Sequence, residues 1–86
     1  MKELERKLKA LANKRRLAIL KYLHKADQAS VGDIASQIKL SFRSTSKHLA
    51  VLFAAAILDK EQIGLTVYYR LAVPPDPLTN KVLNLV

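Results

Sequence analysis

Along residues 2–12 apolar side chains return at Leu4, Leu8 and Leu11, a spacing that sets them on one face of a helix whose other positions are mostly charged. Asn13 is an N-cap residue. Behind it Leu17, Leu20 and Leu23, with Ile19 beside them, predict a second helix that fades between Lys25 and Gln28. Lys14, Arg15, Arg16, Lys21 and Lys25 fill its outside. Ala29-Ser30-Val31 reads as a short extended piece. Ser30 is a further N-cap, Asp33 is a favourable acid in the first turn, and Ile34, Ala35 and Ile38 give a brief helix from about Val31 to Ile38. Lys39-Leu40 is a tight connection. Ser41 caps again, and a fourth helix is predicted from about Phe42 to Ala56 on the stripe Thr45, Leu49, Leu52 and Ala56, with His48 and Phe53 at its margins.

After Ile57 the period changes from helical to alternating. Residues 58–62 and 66–71 are strand-like, and Ile63-Gly64-Leu65 lies between them as a turn, which predicts a β-hairpin. Pro74, Pro75 and Pro77 break the chain, and the tail Leu78 to Val86 carries Leu78, Val82 and Leu85 on one helical face. The order is helix, helix, short strand, helix, turn, helix, hairpin, short helix. This is a mainly α fold with a small β-hairpin (α+β), and it fits a helix-turn-helix followed by a wing. Residues 1–73 form the winged domain and residues 74–86 a short tail.

Composition narrows the function. With 86 residues, half of them hydrophobic, the chain is one domain with a core of its own. It has no cysteine, which excludes disulfides and thiolate metal sites and fits a reducing cytoplasm. The charged N-terminus lacks the apolar stretch of a signal peptide, and no run approaches the ~18 apolar residues that cross a membrane. No Gly-rich phosphate loop, cysteine nucleophile or carboxylate pair near a histidine suggests an enzyme. The net charge is +8, and residues 1–50 hold 12 Lys/Arg against 4 Asp/Glu, whereas residues 51–86 hold 3 against 3. An excess of cations so placed suits nucleic acid.

The fourth helix has the makings of a double-stranded DNA reader. A helix that enters the major groove needs an apolar face to lock it and short polar or basic side chains on the other. Arg43, Ser44, Ser46 and Lys47 project away from the Thr45/Leu49/Leu52 stripe in the first two turns, the part of a recognition helix that meets the bases. From Ala50 to Ala56 the helix has no charge and reads as a packing element. In the hairpin, Lys60, Gln62, Thr66 and Tyr68 are candidates for phosphate or minor-groove contacts, with Asp59 and Glu61 expected to point away.

The segments LKALANKRRLAILKYL (8–23), VGDIASQIKLSFRSTSKHLAVL (31–52) and VYYRLA (67–72) resemble the ArsR-type, arsenic-repressor-like, winged helix-turn-helix regulators in order and spacing. The resemblance implies a homodimeric repressor on a palindromic operator. It adds His48 to the DNA-reading set, and it implies a dimer built on Leu4, Leu8 and Leu11 with Leu78, Val82 and Leu85. Many members sense metals through cysteines in the third helix or acids and histidines in the last. This chain has no cysteine, its tail offers only Asp76, and His24 and His48 lie on separate helices, so neither a metal nor another cofactor is expected. The charged residues usual after the reading helix are replaced by Ala50, Phe53 and Ala54. The competing reading is a winged protein-interaction module, a co-regulator or anti-repressor with only non-specific DNA affinity. The apolar Val51–Ile57 stretch and the tail motivate it. An inducer, if the protein has one, leaves no mark in the sequence.

Overall fold

Polar side chains divide the chain into helices. In the computed structural model, which describes all of residues 1–86, Asn13 Oδ1 accepts the backbone N–H groups of Arg15 at 3.0 Å and Arg16 at 3.1 Å. This cap separates α1 (Lys2–Leu11) from α2 (Lys14–Ala26). Ser30 Oγ accepts the N–H of Asp33 and opens α3 (Val31–Ile38); Ser41 Oγ accepts that of Ser44 and opens α4 (Phe42–Ala54). Between them Lys39 takes the left-handed conformation (φ 58°, ψ 49°), and the Leu40 N–H donates to the Ala35 carbonyl at 3.0 Å. The six-to-one bond over a left-handed residue is a Schellman turn, and it sets the sharp angle between α3 and α4.

Three strands complete the fold: β1 (Gln28–Ser30), β2 (Leu58–Ile63) and β3 (Thr66–Leu71), all antiparallel in the order β1-β3-β2. Ile63 pairs with Thr66, so the turn is the two residues Gly64-Leu65 rather than three, and Ile63 belongs to the strand. Gly64 at φ 63° occupies the position where a two-residue hairpin loop demands it. The core lies where the helices meet the inner face of this sheet. Ile19, Leu20, Leu23, Ile34, Leu49, Leu52, Ile57 and Leu58 are each no more than 1% exposed. The last element is α5 (Pro77–Leu83).

Two further sequence expectations change. Leu11, grouped with Leu4 and Leu8 as a dimer contact, is buried in the core of its own chain, while Leu4 and Leu8 stay about half exposed. Leu11 faces α2 because the chain turns back directly after it. Ala56, counted on the α4 stripe, lies outside the helix and is exposed. There the backbone flips to φ 61°, and the Ile57 N–H donates to the Leu52 carbonyl at 3.0 Å, turning Ile57 into the core. A helical continuation would leave that fully buried side chain pointing elsewhere.

Asp76 fastens the tail to the first helix. Its carboxylate accepts the Thr79 N–H and hydroxyl at 2.9 and 3.0 Å, capping α5, and it pairs with the Lys7 ammonium at 2.5 Å. Burial opposes the charge on this carboxylate, but the hydrogen bonds from Lys7 and Thr79 outweigh it and hold the pKa below the ordinary value.

Both the left-handed alanine and the buried carboxylate have measurable consequences. Ala56→Gly relieves a left-handed Cβ at an exposed site and raises stability by about 0.5–1 kcal/mol in urea unfolding, after the extra chain entropy of Gly is counted. The folded-state pKa of Asp76 is depressed, so its stabilisation is complete above about 3.8 and disappears as pH falls through the lower folded value. Asp76→Asn therefore gives a shallower decline of stability on acidification below that point, as followed by circular dichroism.

Candidate nucleic-acid interface

The face of α4 opposite its buried side is the exposed basic surface. Thr45, Leu49 and Leu52 are fully buried, and the helical period places Arg43, Lys47, Ala50 and Ala54 on the other side. Arg43 and Lys47 are exposed, while Ser44, Ser46 and His48 are half-buried along the two edges. The first turn starts at the Ser41 cap, and its remaining N–H groups and the helix dipole favour an anion. These are the sequence-predicted readers, and the fold brings them onto one end of one helix.

His48 sits differently from the others. It lies on the edge of α4 that meets α2, where an Arg16 guanidinium nitrogen donates to its Nδ1 at 3.2 Å. That contact uses the ring's lone pair, which fixes a neutral imidazole with its proton on Nε2. Burial, and then the charges of Arg16 and Arg15, hold the His48 pKa below 6.5. Arg16 also donates through Nε to the Ala10 carbonyl at 2.6 Å and through its other terminal nitrogen to the Lys9 carbonyl at 3.2 Å. One guanidinium thus satisfies carbonyls at the end of α1 and orients an edge residue of α4. Nothing in the sequence separates Arg16 from Arg15 or Lys14 on the outside of α2; only the packing of α1 against α4 does.

The wing candidates divide between two faces. Directly paired residues share a face, and the register pairs Leu58 with Leu71, Lys60 with Tyr69 and Gln62 with Val67. Buried Leu58 and Tyr69 mark this as the inner side. Lys60 and Gln62 extend it toward the tip, the Lys60 ammonium lying 4.4 Å from the centre of the Phe53 ring of α4. Thr66 and Tyr68 lie on the outer side with Asp59, Glu61 and Arg70. The expectation that Thr66 and Tyr68 face DNA while Asp59 and Glu61 turn away therefore fails for any single face, because alternation binds the four together.

The remaining apolar candidates are split as well. Leu85 is 84% exposed, whereas Leu78 and Val82 are half-buried against the core. Val51 and Phe53, at 42% and 40%, are the exposed apolar side chains of the second half of α4. No three His, Cys, Asp or Glu side chains converge anywhere in the chain, and no helix is long and apolar enough to cross a membrane.

The Arg16–His48 contact predicts a pH dependence. Because the folded imidazole binds its proton less readily than the unfolded one, stability is greatest above about 6.5 and declines as pH falls below it, until the folded ring is also protonated. His48→Gln flattens that part of the curve in urea titrations at stepped pH; an unchanged slope would place the titrating group elsewhere.

Comparison with known proteins agrees with this fold. Residues 11–61 match the helix-turn-helix domain family. The transcriptional activator HlyU of Vibrio cholerae is 40% identical over 65 residues, which are 76% of this chain and 59% of HlyU, so the chain spans less than two thirds of that relative. The solved structure of the same organism's HlyU superposes with a TM-score of 0.82 at 32% identity, covering 96% of this chain and 86% of the other. A homodimeric winged helix-turn-helix DNA-binding domain from Mycobacterium bovis gives 0.83 at 28% identity, covering 98% and 74%. The transcriptional repressor PagR of Bacillus anthracis gives 0.77 at 28%, covering 95% and 93%. The match spans more than half of the chain, and the chain belongs to the helix-turn-helix domain family, in the winged form of the ArsR- and HlyU-type regulators.

Proposed function

We propose that this protein is a sequence-specific DNA-binding transcriptional regulator that acts as a homodimer and represses by occupying a palindromic operator. The observation that carries the reading is the division of α4: a sealed apolar side on Thr45, Leu49 and Leu52, and an exposed side led by Arg43 and Lys47 behind a Ser41 cap. Arg43 suits the O6/N7 edge of guanine, and Ser44 and Ser46 suit either base edges or phosphates. Lys60 and Gln62, on the inner side of the wing next to α4, are its DNA contacts in this reading, and Thr66 and Tyr68 are not.

The dimer is supported by the exposed Leu4 and Leu8 on α1 and by Leu85 just beyond α5, apolar surface with no cover within one protomer. Leu78 and Val82, half-buried on α5, pack against the core of their own chain. A two-fold dimer sets its reading helices about 34–36 Å apart, one turn of DNA. The relatives' names divide between activator and repressor; repression is favoured because occupancy alone achieves it and needs no further surface.

The test is selection of bound duplexes from a random pool, followed by titration of the selected site against random DNA. A palindrome with half-sites one turn apart is expected. Arg43→Ala should cost about 1–3 kcal/mol on the selected site and relax one base position in each half-site. If the wild-type chain shows no preference over random DNA, the domain is a protein-interaction module and the regulator reading falls.

A further inference from the structure

The second half of α4 carries no charge from Ala50 to Ala56, yet cations stand beside it. A groove of about 440 Å³ between α1 and α4 is bordered by Lys2, Arg6, Lys9 and Arg16, with Glu5 as its one acid and Val51 on the α4 side. Lys2, Arg6 and Lys9 fall at helical spacing on one stripe of α1. Glu5 answers Lys9 only loosely, at 3.6 Å across exposed side chains, so the groove keeps an excess of positive charge.

Its position relates it to the reading surface. Val51 follows Lys47 by one helical turn on the same edge of α4 and adjoins His48, which Arg16 holds. Arg6 reaches the end of α4, one terminal nitrogen donating to the Ala54 carbonyl at 3.5 Å. The groove is therefore the sideways continuation of the surface that begins at Arg43 and Lys47. Its Arg6 and Lys9 lie on a different face of α1 from Leu4 and Leu8, while Lys2 and Glu5 border both surfaces.

We propose that this groove is a DNA-backbone site, in which Lys2 and Lys9 of the first helix hold the phosphates that flank the stretch read by α4. Arg6 and Arg16 add their charge while keeping α4 seated. The inference rests on the regulator reading, since a duplex docked on Arg43 and Lys47 carries its backbone past Val51. An acidic peptide fits less well: Val51 and Ala10 are the groove's apolar lining, too little to anchor a peptide chain, whereas flexible ammonium groups suit phosphate as point charges.

The experiment measures binding to a short random-sequence duplex over a range of salt. Removing one phosphate contact lowers the slope of log affinity against log salt by about 0.9. Lys2→Gln with Lys9→Gln should lower it by about 2 for each protomer bound. Lys25→Gln with Lys81→Gln removes the same charge from exposed positions outside the groove and should leave the slope near the wild-type value. Equal slope changes in the two variants, or none in either, would overturn the proposal, the first by reducing it to net charge. On the selected operator the Lys2/Lys9 variant should keep the operator-to-random ratio, since phosphate contacts carry no sequence information; a fall in that ratio with an unchanged slope would also overturn it. A chain with no operator preference but a groove-dependent slope would retain this site and abolish the reading role of α4, so the two failures are distinct.

Discussion

The Arg16 guanidinium joins three helices at the edge of α4 that carries His48. It closes carbonyls of Lys9 and Ala10 at the end of α1 and orients His48 on the edge of α4, from the first turn of α2. A helix presented to DNA must be fixed on the side away from it, because any rocking of its axis blurs which base edges its side chains reach. The buried Thr45, Leu49 and Leu52 fix α4 in depth. Arg16 fixes one edge, and at the other the Lys60 ammonium lies against the Phe53 ring. An arginine suits the first of these tasks because its planar fork meets three acceptors at once, which an ammonium on the same stem would not.

Most of the architecture is local and legible in the sequence. Asn13, Ser30 and Ser41 each sit one residue before a helix and cap it, and the change from helical to alternating period after Ile57 marks the wing. What is not legible depends on contacts far apart in the chain or on backbone states without a sequence signal. Asp76 and Lys7 are 69 positions apart, and neither looks special alone. Ala56 and Lys39 take left-handed conformations that the sequence does not announce with glycine, so the end of α4 cannot be read from its stripe. Leu11 shares its spacing with Leu4 and Leu8 but meets the core, since a helical face can be divided between two neighbours.

The candidate site shows the same division. The candidate readers on α4 are legible because cap, stripe and polar face lie within one short helix. In the wing a set of polar side chains is visible in the sequence, but alternation and register decide its faces, and they group Thr66 and Tyr68 with Asp59 and Glu61. A turn that starts at Ile63 instead of Gly64 shifts the hairpin by one position, and in a strand of period two a shift of that size changes which face each side chain takes.

The distribution of charge then separates two tasks that one helix would otherwise combine. On the exposed face of α4 the cations are Arg43 and Lys47, both in its first half, while most of the basic excess lies on α1 and α2. Base-edge contacts confer discrimination, and backbone charge confers affinity and salt dependence. In the proposed reading the two lie on different helices, so substitution of Lys2 or Lys9 on α1 is expected to change how strongly DNA is held while leaving the α4 surface intact. Arg6 and Arg16 are the exceptions, since each borders the groove and also contacts α4, Arg6 at the Ala54 carbonyl and Arg16 at His48. In the proposed reading a change at Arg16 alters affinity and discrimination together, since the same guanidinium closes the Lys9 and Ala10 carbonyls, borders the groove and orients His48.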